Sequence, residues 1–372
     1  MPLNVEAFKF SFELFSIWLT LVNMKHDFCL KVSNTFPFLI IPFLLLLSFS
    51  AHAQMGKGEA INVYVENDSR NIGGPGVDKA YSNGLKISFV AAENDIPNWA
   101  KPVINSSENF RRALKGSQTN FGVSIGQQIY TPTDTQTSEL IQDDRPYAGW
   151  LNLGFSTQFK TNQRSHSLEL GIGIIGPESG AENVQNGFHR AIGVEQTNGW
   201  KNQLATEPTL QLSYQQRFRF IELSSERYKN YFDVIPFFGG GLGNVAIDAH
   251  AGTIVRFGLD LPNDFGPTRP SSIDGDNFVA PKNIEMPKTK SSFYLFASGR
   301  GIAVGRNIFL DGNTFKSSHR VNKYPFLLET EFGFVVVYSQ VSLAWRFVTR
   351  SPEFEQRSTV NSFASVSVAY NF

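Results

Sequence analysis

TLQLSYQQRFRF, residues 209–220, decides the fold. Leu210, Leu212, Tyr214, Phe218 and Phe220 alternate with Gln211, Ser213, Gln215, Arg217 and Arg219. A period of two sends one set to each face of a sheet. The pattern recurs at 340–348, where Val341, Leu343, Trp345 and Phe347 alternate with Gln340, Ser342, Ala344 and Arg346. It recurs at 151–160, where Leu151, Leu153, Phe155 and Phe159 alternate with Asn152, Gly154, Ser156, Gln158 and Lys160. Segments of about ten residues, apolar outside and polar inside, mark a transmembrane barrel.

Twelve such segments follow residue 54: 60–68, 81–92, 119–130, 147–160, 165–176, 207–220, 230–241, 243–258, 291–305, 326–337, 339–350 and 360–372. An even number suits closed antiparallel strands, so the fold predicted is all-β, a twelve-stranded antiparallel transmembrane β-barrel. The last segment ends at Phe372 with Val366, Val368 and Tyr370 on the same face. That ending resembles the assembly signal of outer-membrane proteins. With both termini periplasmic, the connections 69–80, 131–146 and 177–206 face the exterior. The long connections 93–118 and 259–290 fit periplasmic turns less well, and NWAKPVINSSENFRRALKG is a candidate for short helix there.

Composition agrees. The chain has 372 residues with 33 basic and 33 acidic side chains, which gives no electrostatic case for nucleic acid. Its 34 Phe and 31 Gly suit bulky residues on one face of β-strands. The single cysteine, Cys29, precedes the strand region, so that region has no disulfide or thiolate metal site. Residues 36–49, FPFLIIPFLLLLSF, followed by Ala51-His52-Ala53, read as a secretory signal with an A-x-A cleavage site. Met24-Lys25-His26 begins its basic leader. Residues 1–53 are therefore expected to be an upstream extension plus signal peptide, with Met24 as the start. Residues 54–372 are the barrel domain.

Beyond residue 54 the histidines are His166, His189, His250 and His319. His166 begins a strand, His250 has inward parity and His319 lies in a Lys/Arg/Ser-rich loop; each reads as a solvated or lumen side chain. His189 lies in an expected outer connection with Gln185, Asn186, Glu195 and Trp200. By itself that setting leaves chemistry and structure equally open. Asn67 and Asp68 end the first strand and Ser82 begins the second. A carboxylate, an amide and a hydroxyl at one hairpin can hold a hard cation, although the same residues populate ordinary turns. In DDRPYAGW, residues 143–150, Asp144 and Arg145 are placed to pair, and the stretch reads as structural.

Taken together and in order, VEND (65–68), YSNG (81–84), GQQIYTP (126–132), DRPYAG (144–149) and IIGPESGAENVQNGFHRAIGVE (174–195) resemble the lipid A 3-O-deacylase family of outer-membrane barrels. The resemblance covers most of the first half of the barrel domain; the second half matches mainly in strand pattern. It implies a calcium-dependent carboxylic ester hydrolase in the bacterial outer membrane, acting as a monomer on lipid A, with its site facing the exterior. It puts the family's Asn-Asp pair on Asn67 and Asp68, its hydroxyl residue on Ser82, its catalytic His on His189 and the following Glu on Glu195. The expected catalytic group is His189, Asn67, Ser82 and Glu195. The expected calcium ligands are Asp68, Glu195 and Ser82.

No G-x-S-x-G motif is present, so an activated water is the expected nucleophile. His189 would be its base. Basic side chains at Arg70, Lys79, Arg145, Arg190 and Lys201 are candidates for lipid A phosphate contacts. The rival readings are an outer-membrane phospholipase with a Ser nucleophile, and a non-enzymatic porin or structural barrel.

Overall fold

Alternating apolar residues cannot all be buried in one sheet unless lipid or a second layer covers the outside. Closing the sheet removes its edges, and lipid covers the outer face. The computed structural model describes residues 59–68, 80–91, 117–226, 230–267 and 291–371. Its strands are β1 (Ala60–Asn67), β2 (Ala80–Val90), β3 (Gln118–Thr131), β4 (Ala148–Lys160), β5 (Arg164–Ile175), β6 (Glu207–Phe218), β7 (Phe232–Gly243), β8 (Ala246–Leu259), β9 (Ser291–Asn307), β10 (Phe326–Tyr338), β11 (Val341–Arg350) and β12 (Asn361–Asn371). Ile221–Leu223 extends the β6 side by three residues against the start of β7.

Each strand pairs antiparallel with its neighbours in sequence. The ring closes where β1 pairs with β12, Val63 opposite Val368. The twelve-stranded antiparallel barrel is therefore as the alternation predicts, and each strand overlaps its expected segment. The expected leader, Met24, Cys29 and the helix candidate in 93–118 lie outside the described residues. No described helix is long and apolar enough to cross a membrane.

The two faces follow the alternation. Val123 and Ile125 of β3, Leu153 and Phe155 of β4, and Leu210 and Leu212 of β6 are exposed, whereas Ser124, Asn152, Gln211 and Ser213 are buried. A continuous exposed apolar band is costly in water and favourable in lipid.

The connections after β1, β3, β5, β7, β9 and β11 share one end, here the loop end. Those after β2, β4, β6, β8 and β10 share the other, the turn end. The turns after β4 and β10 are short, at 161–163 and 339–340.

Described side chains fill the lumen. At the loop end, a one-turn helix after β9, α2 (Ile308–Asp311), enters the barrel mouth. Phe309 stacks on Tyr130 of β3, six strands away around the ring, at 3.8 Å between ring centroids. Tyr81, Trp150, Ile175, Leu204 and Phe363 join this apolar plug. A second apolar cluster, with Phe237, Ile254, Tyr294, Phe296 and Val335, includes Leu261 and Phe265 from the connection after β8. Elsewhere the interior is polar and paired. Lys86 of β2 reaches Glu169 of β5 at 2.9 Å. Arg256 of β8 is held by Asp233 and Asp264. His250 keeps its inward parity, bonded to Asp248 at 3.0 Å.

The loop end is locked by DRPYAG. The expected Asp144–Arg145 pair does not form. Asp144 instead accepts from the backbone N–H of Thr133 at 2.7 Å and of Arg145 at 2.7 Å. The Arg145 guanidinium, 0% exposed, pairs with Glu353 at 2.6 Å. It also lies over the rings of Tyr130 and Phe354. Adjacent residues in a loop diverge, so each finds its own partner. Such burial also removes Arg145 from the phosphate contacts expected of it. His319, expected to be a solvated or lumen side chain, donates from Nε2 to the Asp144 carbonyl at 2.7 Å. One motif thus fastens the connections after β3, β9 and β11 together.

Candidate active site

The connection after β5 folds back onto the outside of the barrel. Gly176 at φ 97° and Gly180 at φ 70° let the chain reverse around a single turn of 3-10 helix. α1 (Ala181–Ile192) follows. Its seat is on the lipid-facing parity of β3 and β4. Ile129 has the same parity as the exposed Val123 and Ile125, yet it is 1% exposed because it clusters with Ala181, Trp200 and Tyr147. In β4, Gly149 has the parity of Leu153 and Phe155. A Cβ there would meet Ala181 Cβ and the Ser179 hydroxyl. The glycine of DRPYAG is therefore the socket into which the start of α1 fits.

That socket can be tested. Gly149→Ala overpacks the contact, at a cost of about 1–3 kcal/mol. α1 should then lift off more often, and tryptic cleavage at the exposed Arg190 should speed up roughly tenfold or more. Heat-modifiable gel mobility should show the barrel unchanged. Unaltered cleavage would mean that Gly149 is not the socket.

α1 ends at Gly193, φ 72°. The N–H of Gly193 donates to Arg190 O at 3.4 Å and that of Val194 to His189 O at 2.9 Å. This is a Schellman closure, which requires the left-handed residue that glycine supplies. The turn brings residue 195 back beside His189. The imidazole, buried at 7% exposure, donates from Nδ1 to the Glu195 carbonyl at 2.6 Å. A carbonyl only accepts, so Nδ1 carries the proton, and a neutral ring keeps its lone pair on Nε2. Glu195 thus reaches His189 through its backbone, while its carboxylate is exposed.

The hairpin cluster lies on the same wall. The β2–β3 register slips between Tyr81 and Asn83, so Ser82 sits in a bulge. Bulges re-aim a side chain. Ser82, 1% exposed, shares a 2.6 Å hydrogen bond between its Oγ and Thr131 Oγ1. Thr131 has the outward parity of Ile129, two residues away under α1. Asn67, at the outward parity of β1, donates from Nδ2 to Ser82 O at 3.3 Å. Asn67, Ser82 and Thr131 therefore form one hydrogen-bonded chain, and β3 links it to the seat of α1. Asp68, 4% exposed, directly follows the end of β1. The Asp68 carboxylate acts electrostatically on Arg357, whose pKa is lowered by burial and by Arg145 and raised by Glu353, Asp144 and Asp68.

Thr131, Glu353 and Arg357 carried no signal in the sequence; they matter through contacts between distant segments. Of the proposed phosphate-binding cations, Arg190 is exposed and bonds Gln196 at 3.1 Å, and Lys201 is exposed and pairs with Glu139 at 3.3 Å. Arg70 and Lys79 lie outside the described residues.

The donor chemistry suits a hard cation. Glu66 at the loop end of β1 and Asp68 just beyond it are two buried carboxylates, 0% and 4% exposed. Buried carboxylates need positive charge nearby. Among the described residues no group of three His, Cys, Asp or Glu forms a ready metal cage. Calcium would have to complete its shell with neutral oxygens and water, as it often does.

No curated protein sequence matches the chain. Among solved structures, LpxR from Salmonella typhimurium is similar with a TM-score of 0.64 and 20% identity, covering 84% of this chain and 100% of that one. At that identity the likeness is one of fold. The beta domain of the Bordetella autotransporter BrkA has a TM-score of 0.42 and 9% identity, covering 85% of this chain and 99% of that one. The family model of outer membrane protein LpxR matches residues 39–372, which include all twelve strands and every candidate side chain described above, and the chain belongs to that outer-membrane family.

Proposed function

We propose that this barrel is a calcium-dependent lipid A deacylase that hydrolyses an acyl ester with His189 as general base, at the exterior face of the outer membrane. The observation that carries this reading is the Nδ1–H bond from His189 to the Glu195 carbonyl, on a helix seated against the lipid-facing wall. In a neutral ring with Nδ1 protonated, Nε2 is the nitrogen that can accept a proton.

The reaction needs one water and one ester. Nε2 of His189 accepts a proton from water as the oxygen attacks the carbonyl carbon. The carbonyl electron pair moves to oxygen. Collapse of the tetrahedral intermediate expels the alkoxide, which takes the proton back from the imidazolium. While that cation exists, its bond to the Glu195 carbonyl is charge-assisted and stronger. The Asn67 amide, beside Ser82, would donate to the oxyanion. Asp68 and Ser82 would hold calcium, with Glu195's exposed carboxylate as the second anionic ligand. Bound calcium would polarise the carbonyl and draw charge from the oxyanion. Ser82 is engaged by Thr131 rather than by a histidine, which favours water over serine as nucleophile.

The test uses the purified full barrel in detergent with lipid A, read by mass spectrometry. Wild type should remove acyl mass, chelation should suppress the rate by at least roughly a hundredfold, and calcium should restore it. Unchanged lipid A masses with wild type would end the reading. Full activity under chelation would remove calcium from it, and an acyl group trapped on Ser82 would replace water with serine.

A further inference from the structure

Thr197, 3% exposed, lies under α1 in the returning segment. Its backbone N–H donates to Asn186 Oδ1 at 2.8 Å, and its carbonyl accepts from Asn186 Nδ2 at 3.2 Å. One side-chain amide on α1 thus clamps both backbone groups of residue 197. The Thr197 hydroxyl lies 2.9 Å from Asn186 Oδ1 and 3.2 Å from Gln185 Oε1, and it has one proton for the two. That hydroxyl also accepts from Trp200 Nε1 at 2.8 Å. All these groups are buried.

The clamp has a consequence two residues upstream. At its near end, residue 195 is fixed by the Schellman bond from Val194 N to His189 O. At its far end it is fixed by Asn186 on residue 197. Only Glu195 and Gln196 lie between, so the Glu195 carbonyl cannot rotate away from the imidazole. We propose that Asn186 and Thr197 are positioning residues that impose the Nδ1–H tautomer on His189. A free imidazole in water favours the proton on Nε2, which would offer the wrong nitrogen to water. A buried polar network is worth its desolvation when it specifies one arrangement. A backbone carbonyl aimed at a ring N–H is such an arrangement, and it sets the tautomer without placing a charge there. The kinetic consequence rests on His189 acting as base; the tautomer itself does not.

The test is the 15N spectrum of histidine-labelled full barrel in detergent, with the His189 signals assigned by their loss in His189→Gln. In wild type, neutral His189 should show a protonated Nδ1 and a bare Nε2. In Thr197→Val, close in shape but lacking the hydroxyl, the two tautomers should mix. The deacylation kcat should fall roughly a hundredfold, as for a misplaced catalytic group, with KM nearly unchanged. Thr197→Ser should restore both spectrum and rate, and gel mobility should confirm that each variant is a folded barrel. Asn186→Leu should reproduce the spectral change by removing the clamp from its other side. An Nε2–H tautomer in wild type, or a pure Nδ1–H tautomer in both Thr197→Val and Asn186→Leu, would overturn the proposal. The expected spectra with no lipid A hydrolysis in wild type would leave the positioning intact and end the deacylase reading.

Discussion

His189→Ala is expected to lower deacylation by about 10²–10⁴-fold, the usual worth of a positioned general base. The loss should fall on kcat, because the imidazole acts on water in the transition state and adds little to ground-state lipid binding. The variant should fold: His189 is buried on a helix outside the barrel and its removal leaves every strand pair intact. His189→Gln keeps an N–H donor toward the Glu195 carbonyl but supplies no base, so it should be as inactive. A first-order rate of acyl release from lipid A micelles checks both. Activity in either variant within threefold of wild type would remove the imidazole from the chemistry.

Arg145→Met is expected to cost about 3–5 kcal/mol, the largest stability loss of any single change considered. The replacement leaves the buried Glu353 with Arg350, at 3.2 Å, and the weaker influence of Arg357. Burial alone would raise the Glu353 pKa, but the Arg145 and Arg350 guanidiniums prevail and bring it from 4.5 down to about 2. The sign of the pH effect follows. A folded-state pKa below the unfolded one contributes stability above the unfolded value, and that contribution is lost as pH falls through the folded value. The wild-type loop end should therefore lose this stability progressively as pH falls from 4.5 to about 2. In Arg145→Met the Glu353 pKa lies nearer its unfolded value, so this pH-dependent loss should be smaller. Near-ultraviolet circular dichroism during acid titration, with urea unfolding at neutral pH, measures both effects. A variant within 1 kcal/mol of wild type would show that the Arg145–Glu353 pair is not the lock.

The barrel was legible because alternation is local: Leu210, Gln211, Leu212 and Ser213 declare their faces without reference to any other strand. The plug was not, because Phe309 meets Tyr130 only after the ring has closed. DRPYAG was read as structural, which holds, but its partners were hidden. Arg145 pairs with a residue 208 positions away. Nothing local to Gly149 announces the helix start that packs on it. At the candidate site, His189 stood out by residue type, and Gly180 and Gly193 mark the ends of its helix as left-handed caps do. The contribution of Glu195 was legible in place but not in kind. A sequence displays the carboxylate, whereas the imidazole is held by the backbone carbonyl. Ser82 depends on a bulge, and a one-residue slip in pairing leaves no mark in a single strand's pattern. Thr131 and Thr197 are ordinary strand and loop residues until their partners arrive.

The proposed site requires α1 and the β1–β2 corner to address the same space on the outside of one wall. Thiol cross-linking in intact outer membranes tests it most directly, using His189→Cys with Ser82→Cys in a chain whose Cys29 is replaced. A short bifunctional maleimide should join positions 82 and 189, so that the chain stays in one piece after protease cleavage between them. Cross-linking no greater than that of Ser82→Cys paired with a cysteine across the ring at Ile247 would contradict this arrangement.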